Sequence, residues 1–570
     1  MTLALRILIV GGYGTFGGRL VELLEDDARL TLLIAGRSIA RAREFCASRT
    51  SAHCALVATE FSRTESGPGQ LAALRPDIVV DASGPFQAYA GDRYRLIEQC
   101  IAAGVHYLDL ADGSDFVAGV AQFDAAARAA GVFMLSGVSS FPVLTAAVVR
   151  RLAVGMTRVE SIRGGIAPSP FAGVGLNVIR AIASYAGQPV ARQRNGVFGV
   201  GHPFTESSHF VISVPGRVPL ASKRFSLVDV PDLRILAALW PQASSVWMGA
   251  APVPASLHWV LTAFAWAVRL HVLRSLSWLP RAMHWAANRL RWGEHRGGMF
   301  VEVCGRGPHD EALVREWHLL AEGDDGPLIP CMGVEAIVRR MLAGGAPSPG
   351  ARAAVADVNL VDYEALFTRR SIHTGVRERA PLAAAALFQQ VLGPAWDDLP
   401  RPVQALHALS HESQASTFVG RCSVQRGRNP LARAVAAVVG FPEAGDELPI
   451  EVKLCPTAAG EQWQRTIGGK AFRSVLQPGQ GRSRDLLRER FGPIAVDMAL
   501  IVEPGGLRYV PRRWSLFGLY LPMWLGPCAT AIESVDQGRF VFSVELSHPL
   551  TGLIVRYRGW LSPQRGASAQ

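Results

Sequence analysis

The sequence predicts an α/β protein in three regions: a doubly wound parallel sheet, a mixed α/β region, and an antiparallel β-rich region. Three observations predict this order. Uniformly apolar strands alternate with helices as far as residue 135, which is typical of a parallel sheet covered on both faces. Connections become longer and less regular beyond residue 140, and strands with one apolar face dominate from residue 383. The predicted domains are therefore 1–140, 141–380 and 381–563.

The first domain begins with a strand that leads directly into a glycine-rich turn and a helix. Ile7–Val10 is a short apolar run, and residues 18–25 carry an apolar stripe at helical spacing. The strands predicted after it are Leu30–Ala35, Cys54–Val57, Asp77–Asp81, His106–Leu110 and Val132–Leu135, with helices at Asp92–Ala103 and Asp115–Ala130 among them.

The turn has the spacing Gly-x-Gly-x-x-Gly. In a dinucleotide-binding turn of the Rossmann type, the first glycine permits the tight bend and the second allows a close approach of the pyrophosphate. The third lets the helix pack closely on the strand. The motif alone is weak in a chain with 57 glycines, but its place between strand and helix favours nucleotide binding over a structural turn. The predicted diphosphate-binding residues are Gly12, Tyr13, Gly14, Thr15, Phe16 and Gly17.

The second strand ends in Gly36, Arg37 and Ser38, where an NAD-binding domain usually carries an aspartate or glutamate. An arginine beside a hydroxyl can neutralise and hydrogen-bond a 2′-phosphate, so NADP is the predicted cofactor and NAD the less favoured one. A solvated loop arginine is the alternative, because this chain is rich in arginine.

Two further strand ends should face the same crevice. The fifth strand, His106–Leu110, delivers Asp109 and Asp112, the candidate catalytic residues, which could orient substrate or transfer a proton. Helix N-capping is an equally weighted alternative for Asp112 and also for Asp115. The residues after the fourth strand are predicted to line the ribose or nicotinamide: Ser83, Gly84 and Pro85.

The second domain contains a predicted hairpin, Met299–Cys304 with Val314–Glu322, and a helix at Val334–Leu342. The glycine- and proline-rich run Gly344–Ala354 is interpreted as a linker, with a second break near Ile372–Pro381.

The third domain is predicted as an antiparallel sheet with one covered face. In the penultimate strand the side chains alternate, so that one face is wholly apolar. These apolar residues are Phe540, Phe542, Val544 and Leu546.

A tryptophan-, leucine- and arginine-rich stretch, Ser256–Leu290, raises the question of a membrane. Its charge-free run is shorter than the ~20 residues that a spanning helix needs. Amphipathic packing on the protein is the favoured interpretation. Peripheral membrane contact through residues 256–290 stays open, because basic residues interleaved with tryptophans suit a helix on a membrane surface.

Composition excludes or weakens several function classes. The chain of 570 residues has 49% hydrophobic residues, as folded proteins do, and its net charge of +11 comes from scattered arginines, which argues against nucleic-acid binding. Eight separated cysteines predict reduced thiols in a cytoplasmic protein. His407 and His411 stand four residues apart, but without a third ligand no metal is expected.

The segment VVDASGPFQAYAGDRYRLIEQCIAAGVHYLDLADGSDFV, which begins at Val79, resembles the saccharopine dehydrogenase and saccharopine reductase group. Residues 136–145, 225–233 and 298–330 resemble the same group, so that the resemblance covers roughly the first 370 residues. It implies an NADP-binding Rossmann domain, an α/β second domain, and oxidation or reduction at a carbon–nitrogen or similar centre.

Two features qualify this resemblance. Saccharopine enzymes carry an acidic, glycine-rich segment after the last Rossmann strand, where this chain has Ser136–Pro142, so saccharopine is not the expected substrate. Residues 387–563 resemble an uncharacterised domain family fused behind such reductases, which implies no known chemistry.

The resulting hypothesis is an NADP-dependent oxidoreductase that transfers a hydride to or from an unidentified small molecule. The rival hypothesis is an NADP-sensing, membrane- or lipid-associated scaffold without catalysis. A homodimer is a further hypothesis about partners.

Overall fold

The computed structural model describes residues 4–63, 68–89, 91–252, 254–379, 385–409, 415–457, 460–526 and 528–564. In the first domain the strands are β1 Leu5–Val10, β2 Leu30–Gly36, β3 Ala55–Glu60, β4 Ile78–Asp81, β5 His106–Asp109 and β6 Phe133–Ser136. The helices between and after them are α1 Thr15–Leu24, α2 Ile39–Ser48, α3 Pro68–Leu74, α4 Arg95–Ala103, α5 Ser114–Gly119, α6 Asp124–Ala129 and α7 Thr145–Leu152.

The middle of the chain continues with longer strands. They are β7 Arg158–Ala167, β8 Val190–Arg194, β9 Val197–Gly201, β10 Ser207–Phe210, β11 Lys223–Leu227, β12 Ser245–Ala250, β13 Arg296–Arg306, β14 Ala312–Glu322, β15 Gly350–Ala353 and β16 Ile372–Glu378. The helices are α8 Leu176–Tyr185, α9 Asp232–Leu239, α10 Ala255–Arg269, α11 Pro280–Arg289, α12 Ile329–Leu342 and α13 Leu360–Phe367.

In the described residues of the C-terminal part, the α-helices are α14 Leu387–Leu392, α15 Arg401–His407 and α16 Pro430–Val439. Its strands are β17 Ser416–Arg426, β18 Gly445–Thr457, β19 Gly460–Ile467, β20 Lys470–Pro478, β21 Leu487–Phe491, β22 Ile494–Glu503, β23 Gly506–Leu516, β24 Leu519–Leu521, β25 Cys528–Asp536, β26 Arg539–His548 and β27 Gly552–Pro563.

The first sheet is parallel and confirms the predicted Rossmann-like architecture. In the described part of the chain its strand order is β3-β2-β1-β4-β5-β6-β15. The central strand β1 has Ile7, Leu8 and Ile9 fully buried, as expected where helices cover both faces. Val10 pairs with Asp81, and Asp81 with Asp109, so the carboxyl ends of β1, β4 and β5 meet at one edge.

The seventh strand of this sheet comes from the run interpreted as a linker. Ala351 and Arg352 of β15 pair in parallel with Met134 and Leu135 of β6. Asp124 helps to hold β15 in the first sheet, because its carboxylate accepts a 2.9 Å hydrogen bond from the Ala351 amide. The linker interpretation was therefore wrong for residues 350–353, since their short strand is defined by pairing and not by a β-branched run.

The helix predicted at Asp115–Ala130 is interrupted. Residues 120–123 form a 3₁₀ turn between α5 and α6. The Tyr94 hydroxyl donates to the carbonyl oxygens of Asp115 and Phe116, and its ring leaves no room for a side chain at Gly119. A tertiary contact thus takes carbonyl groups that a continuous α-helix would use.

The second sheet is mixed, as predicted, with the order β10-β11-β12-β7-β13-β14-β16 among the described residues. β7 lies parallel to β12 and antiparallel to β13, and β13 with β14 is the predicted hairpin. The break predicted near Ile372–Pro381 contains the edge strand β16, so that part of the prediction was wrong.

The chain forms two compact units that differ from a simple succession of segments. The described residues of Met1–Ser208 and Arg224–Thr374 form the first unit, and those of His209–Lys223 and Gly375–Gln570 form the second. Within the second unit, buried Arg377 donates through Nε to the Ser213 carbonyl oxygen at 2.9 Å and through Nη1 to Val391 at 2.9 Å. A segment from the middle of the sequence thereby becomes part of the C-terminal unit.

The core of the second unit is an antiparallel barrel. Its strands follow the order β22-β21-β20-β19-β18-β17-β27-β26-β25-β23, and a pairing of β22 with β23 closes the ring, while β24 extends β23. Phe540 and Phe542 of β26 are buried, which confirms the apolar face predicted for that strand.

Candidate active site

The glycine turn bends one residue earlier than the motif suggests. Gly11 has a φ of +81°, and this left-handed conformation gives the turn after β1 its tight bend. Gly12 meets a different requirement, because a Cβ there would come within 3.0 Å of Ile34 and of the Ile9 carbonyl oxygen. The role predicted for Gly12 therefore belongs to Gly11, and two adjacent glycines made the sequence ambiguous.

The other two glycines of the motif let α1 pack on the turn. A Cβ at Gly14 would lie 3.0 Å from the Gly11 carbonyl oxygen, and one at Gly17 would overlap the same atom. Gly14 is the N-cap of α1 and provides no side-chain hydrogen bond to the first-turn amides. The positive end of α1 is thus available to an anionic ligand at Thr15 and Phe16.

Tyr13 and two arginines surround the end of β2. The Tyr13 ring packs on Gly36, where a Cβ would collide with it, and its hydroxyl accepts a 3.1 Å hydrogen bond from the Ser38 amide. The Ser38 hydroxyl caps α2 by accepting from the Arg41 amide at 3.4 Å. Arg37 and Arg41 are exposed and line one cavity, with the Arg41 guanidinium 5.1 Å from the Tyr13 ring centroid.

A polar cluster lies at the end of β4. Buried Asp81 accepts hydrogen bonds from the Ser83 hydroxyl at 2.5 Å and the Ser83 amide at 3.0 Å. The Tyr89 hydroxyl lies 2.7 Å from the Ser83 hydroxyl, and the Arg63 guanidinium is 3.4 Å from the Tyr89 ring centroid. Burial raises the pKa of Asp81, while the Ser83 hydrogen bond and the Arg63 charge oppose this rise. The cluster fixes the backbone of Ser83 at the crevice.

Asn177 connects the carboxyl edge of the first sheet to α8 within the same unit. Located on α8, it donates through Nδ2 to the carbonyl oxygens of Ser83 at 3.2 Å and Gly84 at 3.0 Å. Both residues and Pro85 line the cavity, and their place beside the ribose or nicotinamide stays a prediction.

The two candidate catalytic aspartates lie in different surroundings. Asp109 is fully buried, does not contribute to the described cavity wall, and accepts hydrogen bonds at Oδ1 from Ala111, Ser136 and Gly137 at 2.7–3.0 Å. Burial raises the pKa of Asp109 to about 7 against those three hydrogen bonds. Its geometry suits holding the loop after β6, and its catalytic role stays a prediction.

Asp112 does line the cavity. Its Oδ1 accepts a 3.1 Å hydrogen bond from Gln87, and it caps no helix, because α5 begins at Ser114 with Gly113 as its N-cap. Burial raises the pKa of Asp112, while the Gln87 hydrogen bond opposes the rise. Tyr185, also on the cavity wall, has its pKa raised by burial and by the charges of Asp112 and Asp229. A protonatable carboxyl and a phenol thus occur on one wall.

The cavity that unites these residues has a volume of about 1450 Å³ and lies within the first unit. This exceeds the ~300–1,000 Å³ typical of a site for one small ligand. The glycine turn, Arg37, Arg41 and Ser83 form one part of its wall, and apolar residues of α8, α10 and α11 form another.

Sequence reasoning missed several wall residues. Arg41 and Arg63 looked like any of many arginines, while Tyr89, Asn177 and Tyr185 lie on elements with no motif. Arg41 follows Arg37 by four residues, and that spacing could have indicated a second cation for the same phosphate. The missed residues of the nucleotide end and its neighbourhood are Gly11, Arg41, Ser62, Arg63, Tyr89, Ser139, Ser140, Asn177 and Tyr185.

The arginine- and tryptophan-rich stretch forms α10 and α11. Their inner faces line the cavity, as packing predicts, but Trp259, Trp266, Trp278 and Trp285 are between 41% and 66% exposed. Within the described residues, none of the helices has the length and apolar character needed to cross a membrane.

The histidine pair considered for metal is only half described. His411 lies outside the described residues. His407 is buried in the barrel, where its Nε2 lies 2.6 Å from a Glu533 carboxylate oxygen.

Comparisons with known families match both ends of the chain. Residues 7–135 match the family "Saccharopine dehydrogenase NADP binding domain", and residues 399–561 match "Domain of unknown function (DUF4166)". No curated protein matches the chain.

The solved structures that match the chain include dehydrogenases and a reductase. Saccharopine dehydrogenase (L-Glu forming) from Saccharomyces cerevisiae is 12% identical, with 66% of this chain and 100% of that chain covered at a TM-score of 0.46. Biliverdin reductase from Synechocystis, in complex with biliverdin and NADP⁺, is 14% identical, with 63% and 94% covered at a TM-score of 0.29. WlbA dehydrogenase from Thermus thermophilus, in complex with NAD and α-ketoglutarate, is 12% identical, with 60% and 90% covered at 0.28.

Proposed function

We propose, from the premise that residues 7–135 are a saccharopine dehydrogenase-type NADP-binding domain, that the chain is an NADP-dependent oxidoreductase. The single observation that carries the proposal is the cavity, in which the glycine turn, two arginines and a protonatable aspartate share one wall. The family match and the turn support nucleotide binding, and the space beyond the nucleotide end supports a second ligand.

The residues present fit the cofactor. The uncapped first turn of α1 would hold the diphosphate, and Gly14 leaves the space that its close approach needs. Arg37 and Arg41 would hold the 2′-phosphate, with Tyr13 ordering the Ser38 backbone beside it. Ser83, Gly84 and Pro85 would face the nicotinamide, held by Asp81 and Asn177.

Bound NADPH supplies a hydride, so an acceptor double bond gains a hydride at one atom and a proton at the other while NADP⁺ leaves. Asp112 is positioned to give that proton, since its raised pKa keeps more of the carboxylic acid near neutral pH than an exposed aspartate would. Tyr185 would orient the acceptor from the same wall. In the reverse direction Asp112 would take the proton.

The location we propose is a reducing compartment such as the cytosol. All eight cysteines are free, and four of them are buried.

The first test compares NADPH and NADH binding by fluorescence titration. Arg37→Ala and Arg41→Ala should each weaken NADPH binding by about 10–100-fold, because a charge-assisted hydrogen bond contributes ~1.5–3 kcal/mol, and leave NADH binding unchanged. Arg43→Ala is the matched control, since Arg43 is an exposed arginine of α2 outside the cavity wall. Unchanged NADPH affinity in both variants would contradict the assignment.

A second test addresses catalysis. With a reducible substrate, Asp112→Asn should lower the rate by about 10²–10⁴ while NADPH affinity is kept. A protein that binds NADPH tightly and transfers no hydride to any acceptor would favour the rival scaffold function.

A further inference from the structure

The charged residues of the cavity wall all come from the first part of the chain. They are four arginines and one aspartate, and all precede residue 113: Arg19, Arg37, Arg41, Arg63 and Asp112. Every described wall residue from Ser139 onward is uncharged, and only serines, Asn177 and Tyr185 among them are polar in their side chains. We call the lining contributed by α8, α10 and α11 the apolar arm, and none of its described side chains carries a charge.

This distribution selects the substrate. A carboxylate or ammonium group in the apolar arm would lose its hydration without a charged partner, at a cost of several kcal/mol. An uncharged chain would instead contact Leu176, Ile182, Leu257, Leu261 and Met283. The volume beyond that of a single-ligand site leaves room for such a chain beside the nucleotide.

The apolar arm opens at the surface between α10 and α11. Val260 on α10 and Ala282 on α11 both line the cavity and are solvent-exposed, so the wall reaches the outside at these two positions. Trp259 and Trp285 stand next to this mouth along their helices, at 60% and 65% exposure.

Five exposed tryptophans mark the surface around the mouth. They are Trp259, Trp266, Trp278, Trp285 and Trp292. Two of them, seven residues apart on α10, lie on one face of that helix, one lies on α11, and the other two flank the ends of α11. We call this surface the tryptophan face of α10 and α11.

The stretch that carries these tryptophans has no acidic residue. Between Trp259 and Trp292 the sequence contains no aspartate or glutamate, and Arg269 is followed by four further arginines at positions 274, 281, 289 and 291. Tryptophan in the headgroup region and arginine beside anionic phosphates are the two contacts that hold a helix on a bilayer. The occupant that fits is an anionic phospholipid surface, and since none of the described helices can cross a membrane, the contact is peripheral.

We propose that the substrate is a long, uncharged, lipid-like molecule that enters the apolar arm from an anionic membrane surface, on which the tryptophan face of α10 and α11 docks. The inference rests on the proposed function, because the arm is continuous with the nucleotide end. It specifies the substrate class and the side from which substrate arrives.

Two probes separate the parts of this proposal. Cosedimentation with vesicles of equal parts phosphatidylglycerol and phosphatidylcholine measures docking, with pure phosphatidylcholine as the uncharged comparison. Fluorescence of Nile red, an uncharged apolar dye, measures occupancy of the arm. NADPH titration of every variant reports separately on the proposed function and on folding.

The variants form a crossed design. Trp278→Asp with Trp285→Asp should reduce vesicle binding by roughly tenfold or more and leave Nile red binding intact. Met283→Asp should abolish Nile red binding and leave vesicle binding intact, with Ala286→Trp as a second variant that fills the arm. Trp524→Asp is the control for docking, because Trp524 is 72% exposed in the second unit.

Three outcomes overturn the proposal while NADPH still binds. In the first, the protein binds equally to both vesicle types or to neither. In the second, Met283→Asp and Ala286→Trp leave the Nile red fluorescence unchanged. In the third, the wild type is a dimer that the double tryptophan variant splits into monomers. The last would make the tryptophan face an interface between copies of the chain. Loss of NADPH binding by the wild type would instead contradict the proposed function.

Discussion

Asp109 accepts three hydrogen bonds at Oδ1, while Oδ2 has no hydrogen-bond partner among the described residues. Its pKa of about 7 lies well above the usual value of 3.8, because burial disfavours the charged form. A raised folded-state pKa means that the folded protein binds the proton more tightly than the unfolded chain. The contribution of Asp109 to stability is therefore greatest at low pH and declines as the pH rises toward 7.

Asp109→Asn should remove this dependence. The amide keeps an acceptor at Oδ1 and places an uncharged group at the other position, so the variant's free energy of unfolding should fall less between pH 4 and pH 7. The difference from wild type should be on the order of a few kcal/mol, measured by urea unfolding across that range. Asp92→Asn, at a largely exposed position, is the control, and parallel pH curves for wild type and Asp109→Asn would contradict the assignment.

The position of Gly17 has no room for any side chain larger than a hydrogen atom. A Cβ there meets the backbone of the turn, which cannot move without disturbing β1. A Cβ at Gly18 would make only ordinary contacts, with the Phe45 ring at 3.4 Å and the Gly12 carbonyl oxygen at 4.0 Å. Gly17→Ala should therefore destabilise the first unit by about 1–3 kcal/mol or more and abolish NADPH binding. Gly18→Ala should retain both, and thermal unfolding with NADPH titration distinguishes the two. A Gly17→Ala protein that binds NADPH like wild type would show that the turn adapts.

At the scale of elements, the regular alternation predicted six strands of the first sheet, because each is a continuous apolar run. The strand β15 could not be predicted in this way, since its sequence GARA has no β-branched residue and resembles a turn. Tertiary contacts define it, among them the pairing with β6 and the Asp124 hydrogen bond. In the site, likewise, Arg37 was predictable from its position at a strand end, but Arg41, Arg63 and Asn177 required the tertiary structure.

Ala351→Glu tests whether β15 contributes to the first sheet. Ala351 is 2% exposed and belongs to the same apolar cluster as Val120 and Met134, so a carboxylate there would be buried without a partner. We expect a loss of about 2–4 kcal/mol in the free energy of unfolding. Ala346→Glu, exposed in the preceding loop, should be neutral. Equal stability of the two variants would mean that β15 is dispensable.

At the scale of the whole molecule, the chain divides into two units with separate cores. The predicted boundaries at 140 and 380 come from changes in composition along the sequence. Composition does not show whether a segment of one region packs with another region. Residues 209–223 interrupt the first unit in sequence and pack with the second, where Ser213 accepts from Arg377. No sequence pattern in residues 209–223 indicates that they pack with the second unit.

Separate cores predict separate responses to heat. Calorimetry should resolve two transitions, and NADPH at a hundredfold excess over its Kd should stabilise only the first unit, by ~2.7 kcal/mol. Phe388→Ala should lower only the other transition, by about 3–5 kcal/mol, because Phe388 is fully buried in the barrel and stacks on His407 at 3.7 Å. A single transition that both perturbations shift together would contradict independent unfolding.

The pairing of β15 with β6 also delays completion of the first sheet during synthesis. Ser136 and Ala353 are partners in the sheet although more than two hundred residues separate them in the chain. At ~5–20 residues per second, a ribosome needs roughly 10–40 s between releasing one and releasing the other. During that interval β6 is an open edge with unpaired amide and carbonyl groups, which is the part of a nascent sheet most prone to pair with another chain. We therefore expect the nascent protein to benefit from chaperone binding during this interval, while the edge of β6 is unpaired.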